Sequence, residues 1–256
     1  EGLSILSLLI QKKRIPAVIW IQTAITFVAF VILFMAPGND VRVASEIATW
    51  MPGYKELSVG NHLFMTIQWM LSSFANEGKA FFIAIWTAGF LLLMKSKKAK
   101  VYQILAVVFS VVALLPYAGI SFFSEMGIGY IDIEQRLTEL PTWQTMNIQN
   151  RIAFFWWIAA VLFTMVLLWK VTGHSVFISM VFLGGIASEA VLYFSPTIYA
   201  SGARVYYLTD LMYLFIILWM VMHMDSEKKK NLFIAGVVVL GVANFLSQYS
   251  IMLLKL

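Results

Sequence analysis

Cysteine is absent from this chain of 256 residues. That excludes disulfides, thiolate catalysis and cysteine-ligated metal centres. Histidine is scarce: His62, His174 and His223 are scattered, and three isolated imidazoles do not make a zinc set. Charge is scarce as well, at 12% of residues. No phosphate-cradling glycine loop, HExxH, GxSxG or aspartate-rich cation motif occurs, so no cofactor is implied and a cytoplasmic nucleotide-sugar site has no support. No internal repeat and no low-complexity linker interrupts the chain.

What fills the space instead is apolar. Hydrophobic residues make up 61% of the sequence, and the mean hydropathy is +0.84. A soluble domain has too little interior to hide that much apolar surface. The sequence therefore predicts an all-α protein, a polytopic transmembrane helical bundle forming one domain over residues 1–256. Apolar segments sort into about seven spans at about 20 residues each. They are expected at Pro16–Ala36, 79–95, Val101–Phe123, Arg151–Val171, Ser175–Phe194, Val205–His223 and Asn231–Leu253. Pro116 is expected to kink the third.

Residues 61–77 are of a different kind. Leu63, Ile67, Met70, Leu71 and Phe74 fall on one helical face, and Gln68, Ser72 and Asn76 form a polar stripe. This segment reads as an interfacial or re-entrant helix. The opening residues, Glu1 to Gln11, are apolar but too short to span. They read as the tail of a preceding helix, so the chain is expected to be the C-terminal portion of a longer protein.

The lysines set the orientation. Lys12, Lys13, Arg14, the Lys95–Lys100 cluster, Lys170 and Lys228–Lys230 all fall on one side of this arrangement, which the positive-inside rule makes cytoplasmic. The net charge of +5 is thereby explained without a nucleic-acid partner. The loops 39–60, 124–150 and 195–204 then face outward.

Chemistry concentrates between Gly184 and Asp210. Glu189 precedes a turn at Ser195-Pro196 and Asp210 follows it. Both lie in segments that read as lipid-buried, where an ionisable group is costly and faces protein or water. Glu189 is about six residues before Ser195, and Asp210 about six after Arg204, where the next span begins, so each is roughly 9 Å of helix from the connection and the two share a depth. They are candidates for a general base or a cation site. Equally, they are candidates for an ion-pair network with Arg204 that locks two spans together. Arg42, Arg136, Arg151 and Arg204 lie at the outer face, and arginine offers phosphate a planar fork of donors. Arg136 reads as solvated, while Arg42 and Arg204 stand at helix boundaries beside glycine turns. Asn244, Ser247 and Gln248 on the last span read chiefly as helix–helix glue. His62 and His223 fall near opposite faces and cannot share a site.

At Ala36-Pro37-Gly38-Asn39 followed by Arg42, and at Ser195-Pro196 followed by Arg204, the chain resembles the later portion of a large family of bacterial polytopic proteins. The opening Glu1-Gly2-Leu3-Ser4 also resembles a stretch midway through such chains. That family is related to envelope glucosyltransferases and is similar to C-type membrane glycosyltransferases. The resemblance implies a bacterial inner-membrane protein of envelope glycan assembly. Its substrates would be a polyprenyl-phosphate-linked sugar and a glycan or lipid acceptor, met among membrane lipids at the extracytoplasmic face. It also implies that the usual catalytic aspartate lies N-terminal to Glu1, and that Asn39, Arg42 and Arg204 are phosphate or glycan contacts. Within this chain the expected catalytic pair is Glu189 and Asp210, with Asn39, Arg42, Arg151 and Arg204 binding substrate and no metal. Two rival readings stand beside it: a transporter or flippase for lipid-linked glycans or small solutes, and a non-catalytic membrane subunit.

Overall fold

The computed structural model describes residues 14–35, 38–76, 78–118, 148–173, 175–191, 195–197 and 206–253, together with Leu8 and Trp143. Nine α-helices appear among them: α1 (Ala17–Phe34), α2 (Asn39–Trp50), α3 (Val59–Asn76), α4 (Lys79–Leu93), α5 (Lys100–Leu114), α6 (Ile148–Val171), α7 (Val176–Ala190), α8 (Tyr207–Met222) and α9 (Glu227–Leu253). No strand occurs among the described residues. The all-helical expectation holds. One described helix, over Arg151–Val171, is long and apolar enough by itself to cross a membrane.

Helix α4 is the axis of the molecule. Its sequence, KAFFIAIWTAGFLLL, is apolar on every side, and nine of its fifteen residues are buried. A helix with no polar face belongs inside a bundle. Helices α3, α5, α6, α8 and α9 all pack on it. Small residues allow the closest approaches. A side-chain carbon added at Gly89 would lie 2.7 Å from the Leu167 side chain of α6.

Contacts along α4 set the directions of its neighbours. Phe82 meets Trp157 at 5.7 Å between ring centroids, Trp86 donates its indole N–H to Thr164 at 2.7 Å, and Gly89 faces Leu167. Both numberings rise together, so α4 and α6 are parallel. The same holds for α4 and α8, where Phe82 meets Tyr213 and Lys95 meets Asp225. Helices α7 and α8 are antiparallel, since Phe177 faces Phe215 while Ser188 faces Thr209.

These directions bring Lys95 just after α4, Lys100 of α5, Lys170 of α6 and Lys228–Lys230 of α9 to one end. Asp225, in the α8–α9 turn, accepts from Lys95 at 2.6 Å and from Lys229 at 2.9 Å. Those two ammonium groups hold its carboxyl well below the usual carboxylate range, at about 2. Lys229 also donates to the Leu91 carbonyl, and Gln103 to that of Leu93. The last carbonyls of α4, which have no partner within the helix, are satisfied in this way.

Helix α3 lies across the opposite end. Phe64 stacks on Phe154 near the start of α6, and Trp69 packs on Tyr206 before α8. Ser73 bonds to Glu189 at the end of α7, and Phe74 packs on Phe82 near the start of α4. All four partners sit in end turns of the bundle, so α3 crosses that end instead of running the bundle's length. Its polar residues Gln68, Ser72 and Ser73 face inward and are buried, whereas Leu63 is half exposed. The apolar face expected from periodicity is thus divided, with Leu71 and Phe74 buried and Leu63 outside.

Two expectations about boundaries change. Pro116 does not kink a long helix. The α-helix ends at Leu114, and Pro116 falls in a 3-10 turn over Leu115–Ala118. Proline cannot donate to the helical ladder and its ring crowds the preceding turn, which favours such an ending. The helix following Ser175 stops at Ala190, short of the expected Phe194.

Candidate functional site

The carboxylate of Glu189 is enclosed where α3, α7 and α8 meet. Its residue is 2% exposed. Ser73, one turn from the end of α3, donates its hydroxyl to Glu189 Oε2 at 2.6 Å. A short bond of this kind is charge-assisted and stronger than one between neutral groups. The Ser73 hydroxyl also lies 2.8 Å from the Met70 carbonyl of its own helix.

Helix α8 supplies the other wall. Tyr213 is 1% exposed, and its ring stacks on Phe182 at 5.5 Å and meets Phe74 and Phe82. Glu189 is one helical turn from Gly185, the position that packs against the Tyr213 ring. Asp210 and Tyr213 are three apart in α8 and so share a face. The Tyr213 hydroxyl and the Gln68 side-chain oxygen are buried with no hydrogen-bond partner among the described residues. Buried polar atoms are seldom left so, and each marks a place where a polar group would be accepted.

Below the carboxylates a second set of polar groups ties α7 to α8. The hydroxyls of Ser188 and Thr209 lie 2.8 Å apart, and each is within hydrogen-bonding distance of the Gly185 carbonyl, at 2.7 and 3.0 Å. Gly185 has no space for a side chain, since an added carbon would lie 2.8 Å from the Tyr213 ring. The turn after Glu189 is where the sequence puts it. Ser195 accepts from the Thr197 amide at 3.2 Å and meets the Thr197 hydroxyl.

The two expected catalytic carboxylates are therefore gathered around one tyrosine, but their settings differ. Glu189 is fully enclosed, whereas Asp210 is only partly buried and has no hydrogen-bonding or ion-pair partner among the described residues. Of the expected substrate-binding residues, Arg42 is turned to Glu46 on its own helix at 2.8 Å and is largely exposed. Arg151 donates to the Trp143 carbonyl at 3.0 Å and stacks on that indole, 5.0 Å from its centroid. Asn39 opens α2 directly after Gly38, whose φ of 83° suits glycine. Arg204 and Arg136 lie outside the described residues. No group of three or more carboxylate or histidine side chains able to hold a metal occurs among the described residues.

Sequence reasoning missed Ser73 and Tyr213. Tyr213 had a legible signal, its spacing of three from Asp210. Ser73 had only its place beside the Gln68–Ser72 stripe. Comparisons with protein-family models, with curated proteins and with solved structures give no match for this chain.

Proposed function

We propose that the chain is a polytopic inner-membrane protein whose outer end holds a carboxylate site for glycosyl transfer from a polyprenyl-phosphate-linked sugar. The membrane reading is supported by an inverted surface. Val101, Ile104, Leu218, Val238 and Val239 stand exposed on helix flanks, while Gln68, Ser73, Thr164, Ser179 and Glu189 are buried. Water would reverse that preference at about 25 cal/mol per Å² of apolar surface, whereas lipid favours it. The lysine-rich end would face the cytoplasm, and the Glu189–Tyr213–Asp210 cluster would face out.

The carrying observation is the difference between the two carboxylates. Asp210 is only partly buried and carries no compensating partner among the described residues. It is assigned the role of general base, taking the proton of an acceptor hydroxyl as that oxygen attacks the sugar's anomeric carbon and the lipid phosphate departs. Glu189, enclosed and held by Ser73, is a positioning residue that fixes α3 over the site. The resemblance to C-type membrane glycosyltransferases supplies the substrate class.

A second reading is favoured by the Ser73–Glu189 bond and the Ser188–Thr209–Gly185 links, which are the kind of contacts that hold helices together in lipid. On that reading the protein is a non-catalytic subunit. Asp210→Asn separates the two. With vesicles carrying labelled polyprenyl-phosphate sugar, the substitution is expected to lower transfer about 100-fold or more while the thermal midpoint in detergent stays unchanged. Wild-type transfer by Asp210→Asn would leave the subunit reading standing.

A further inference from the structure

A groove of about 400 Å³ runs along the side of α4 away from Tyr213, between α4, the turn at Tyr117 and α9. Ile83, Thr87 and Leu91 form one wall, with Phe233, Gly236 and Leu240 opposite. The lining is almost wholly apolar, and at Gly236 an added carbon meets no atom within 4 Å. The size is that of a site for a small molecule or a lipid chain.

The two ends differ in charge. At the lysine-rich end Lys229 is ion-paired with Asp225, which it shares with Lys95. At the opposite end Lys79 stands one helical turn beyond Ile83, with its ammonium 4.5 Å from the ring of Tyr117, which itself lines the groove. Lys79 has no ion-pair partner among the described residues. No acidic residue stands in its helical turn, and its charge adds to the positive end of α4 instead of offsetting it. An apolar trough that ends at a half-buried cation with no ion-pair partner among the described residues has the complementary shape and charge of a lipid with an anionic head group.

We infer that this groove is a binding site for an anionic phospholipid of the outer leaflet, with an acyl chain along α4 and α9 and the head-group phosphate on Lys79. The inference rests on the membrane reading above but not on the glycosyl-transfer reading. It assigns α9, much of whose surface is exposed apolar side chains, a lipid as one of its packing partners.

The test is native mass spectrometry of the delipidated protein titrated with phosphatidylglycerol or phosphatidylcholine. Wild type is expected to prefer phosphatidylglycerol about fivefold, the size expected of one lysine against an anionic lipid. Lys79→Gln should erase the preference while still taking up both lipids. Gly236→Leu, which fills the groove from open space, should reduce uptake of both. Equal binding of the two lipids by wild type, or an unchanged preference in Lys79→Gln, overturns the inference. Displacement by inorganic phosphate alone would make the site one for a free anion, and displacement only by a single-chain prenyl phosphate would make it a substrate site; either overturns it. Carbonate extraction of cell membranes distinguishes failure of the underlying reading. Protein released by carbonate would refute membrane insertion itself, whereas protein retained with no lipid preference would refute only the groove.

Discussion

At the residue scale the most consequential contact is between Ser73 and Glu189, 116 positions apart in sequence. A carboxylate that is 2% exposed depends on the donors that reach it, because burial without them is unfavourable. Ser73→Ala removes one such donor and leaves the acid in place. The expected loss is roughly 1.5–3 kcal/mol, the range for a hydrogen bond to a charged group, seen as a lower unfolding midpoint in detergent. Glu189→Gln keeps an oxygen that can accept from Ser73, so its midpoint should fall less. Ser73→Ala unfolding with the wild-type midpoint would show that Glu189 is held by other groups. Tyr213 belongs to the same scale. Its ring fixes how closely α7 and α8 approach, and only glycine fits opposite it at position 185.

At the scale of elements, α3 and α4 illustrate how similar composition leads to different placement. Both are rich in apolar residues, but α3 carries a polar stripe and α4 carries none. The polar side of α3 turns to the bundle end, where α7 brings Glu189 to Ser73, while the Gln68 oxygen stays without a partner among the described residues. Helices α4, α7 and α8 have 15 or 16 residues, about 22–24 Å of helix. On the membrane reading proposed above, that is shorter than a hydrocarbon layer of about 30 Å, and α3 across their ends would fill part of the difference. It also explains how Glu189, near a helix end, is enclosed. The expected consequence is that labels at Leu63 and Ala75 sit at similar depth in the outer half of the bilayer, as read by depth-dependent fluorescence quenching. A helix crossing the layer would separate those two positions by about 18 Å, and that result would remove α3 from the outer end.

At the scale of the whole molecule, the charges define two ends. Lys95, Lys229 and Asp225 clasp the end of α4 to the α8–α9 turn, while Glu189, Tyr213 and Asp210 lie toward the other. The expected labelling follows from that polarity. In intact cells, cysteines placed at Lys98 and Glu227 should be protected from an impermeant thiol reagent, and cysteines at Glu134 and Ser201 should react. The absence of native cysteine makes this measurement direct. The reverse pattern would turn the site toward the cytoplasm and exclude an extracytoplasmic glycosyl donor.

Local chemistry was readable without coordinates because it depends on near neighbours in the chain. Apolar runs fixed the helical class, and the Ser195-Pro196 turn followed from residue type. Glu189 and Asp210 lie at unequal distances from that turn, and it is the packing of α7 on α8, with Ser188 against Thr209, that brings them to neighbouring levels. What sequence could not determine was which face each helix turns inward. The stripe of α3 gave its polar side but not its partner, since Ser73 and Glu189 meet only after α3 is laid across the bundle end. Likewise Arg42 was legible as a boundary arginine, but its pairing with Glu46 on its own helix depends on rotamer and surroundings. Lys79 began a helix in sequence as in structure. Only the packing of Tyr117 and α9 around α4 made it the charged end of an apolar groove, because a groove is a property of the space between helices and no single segment encodes it.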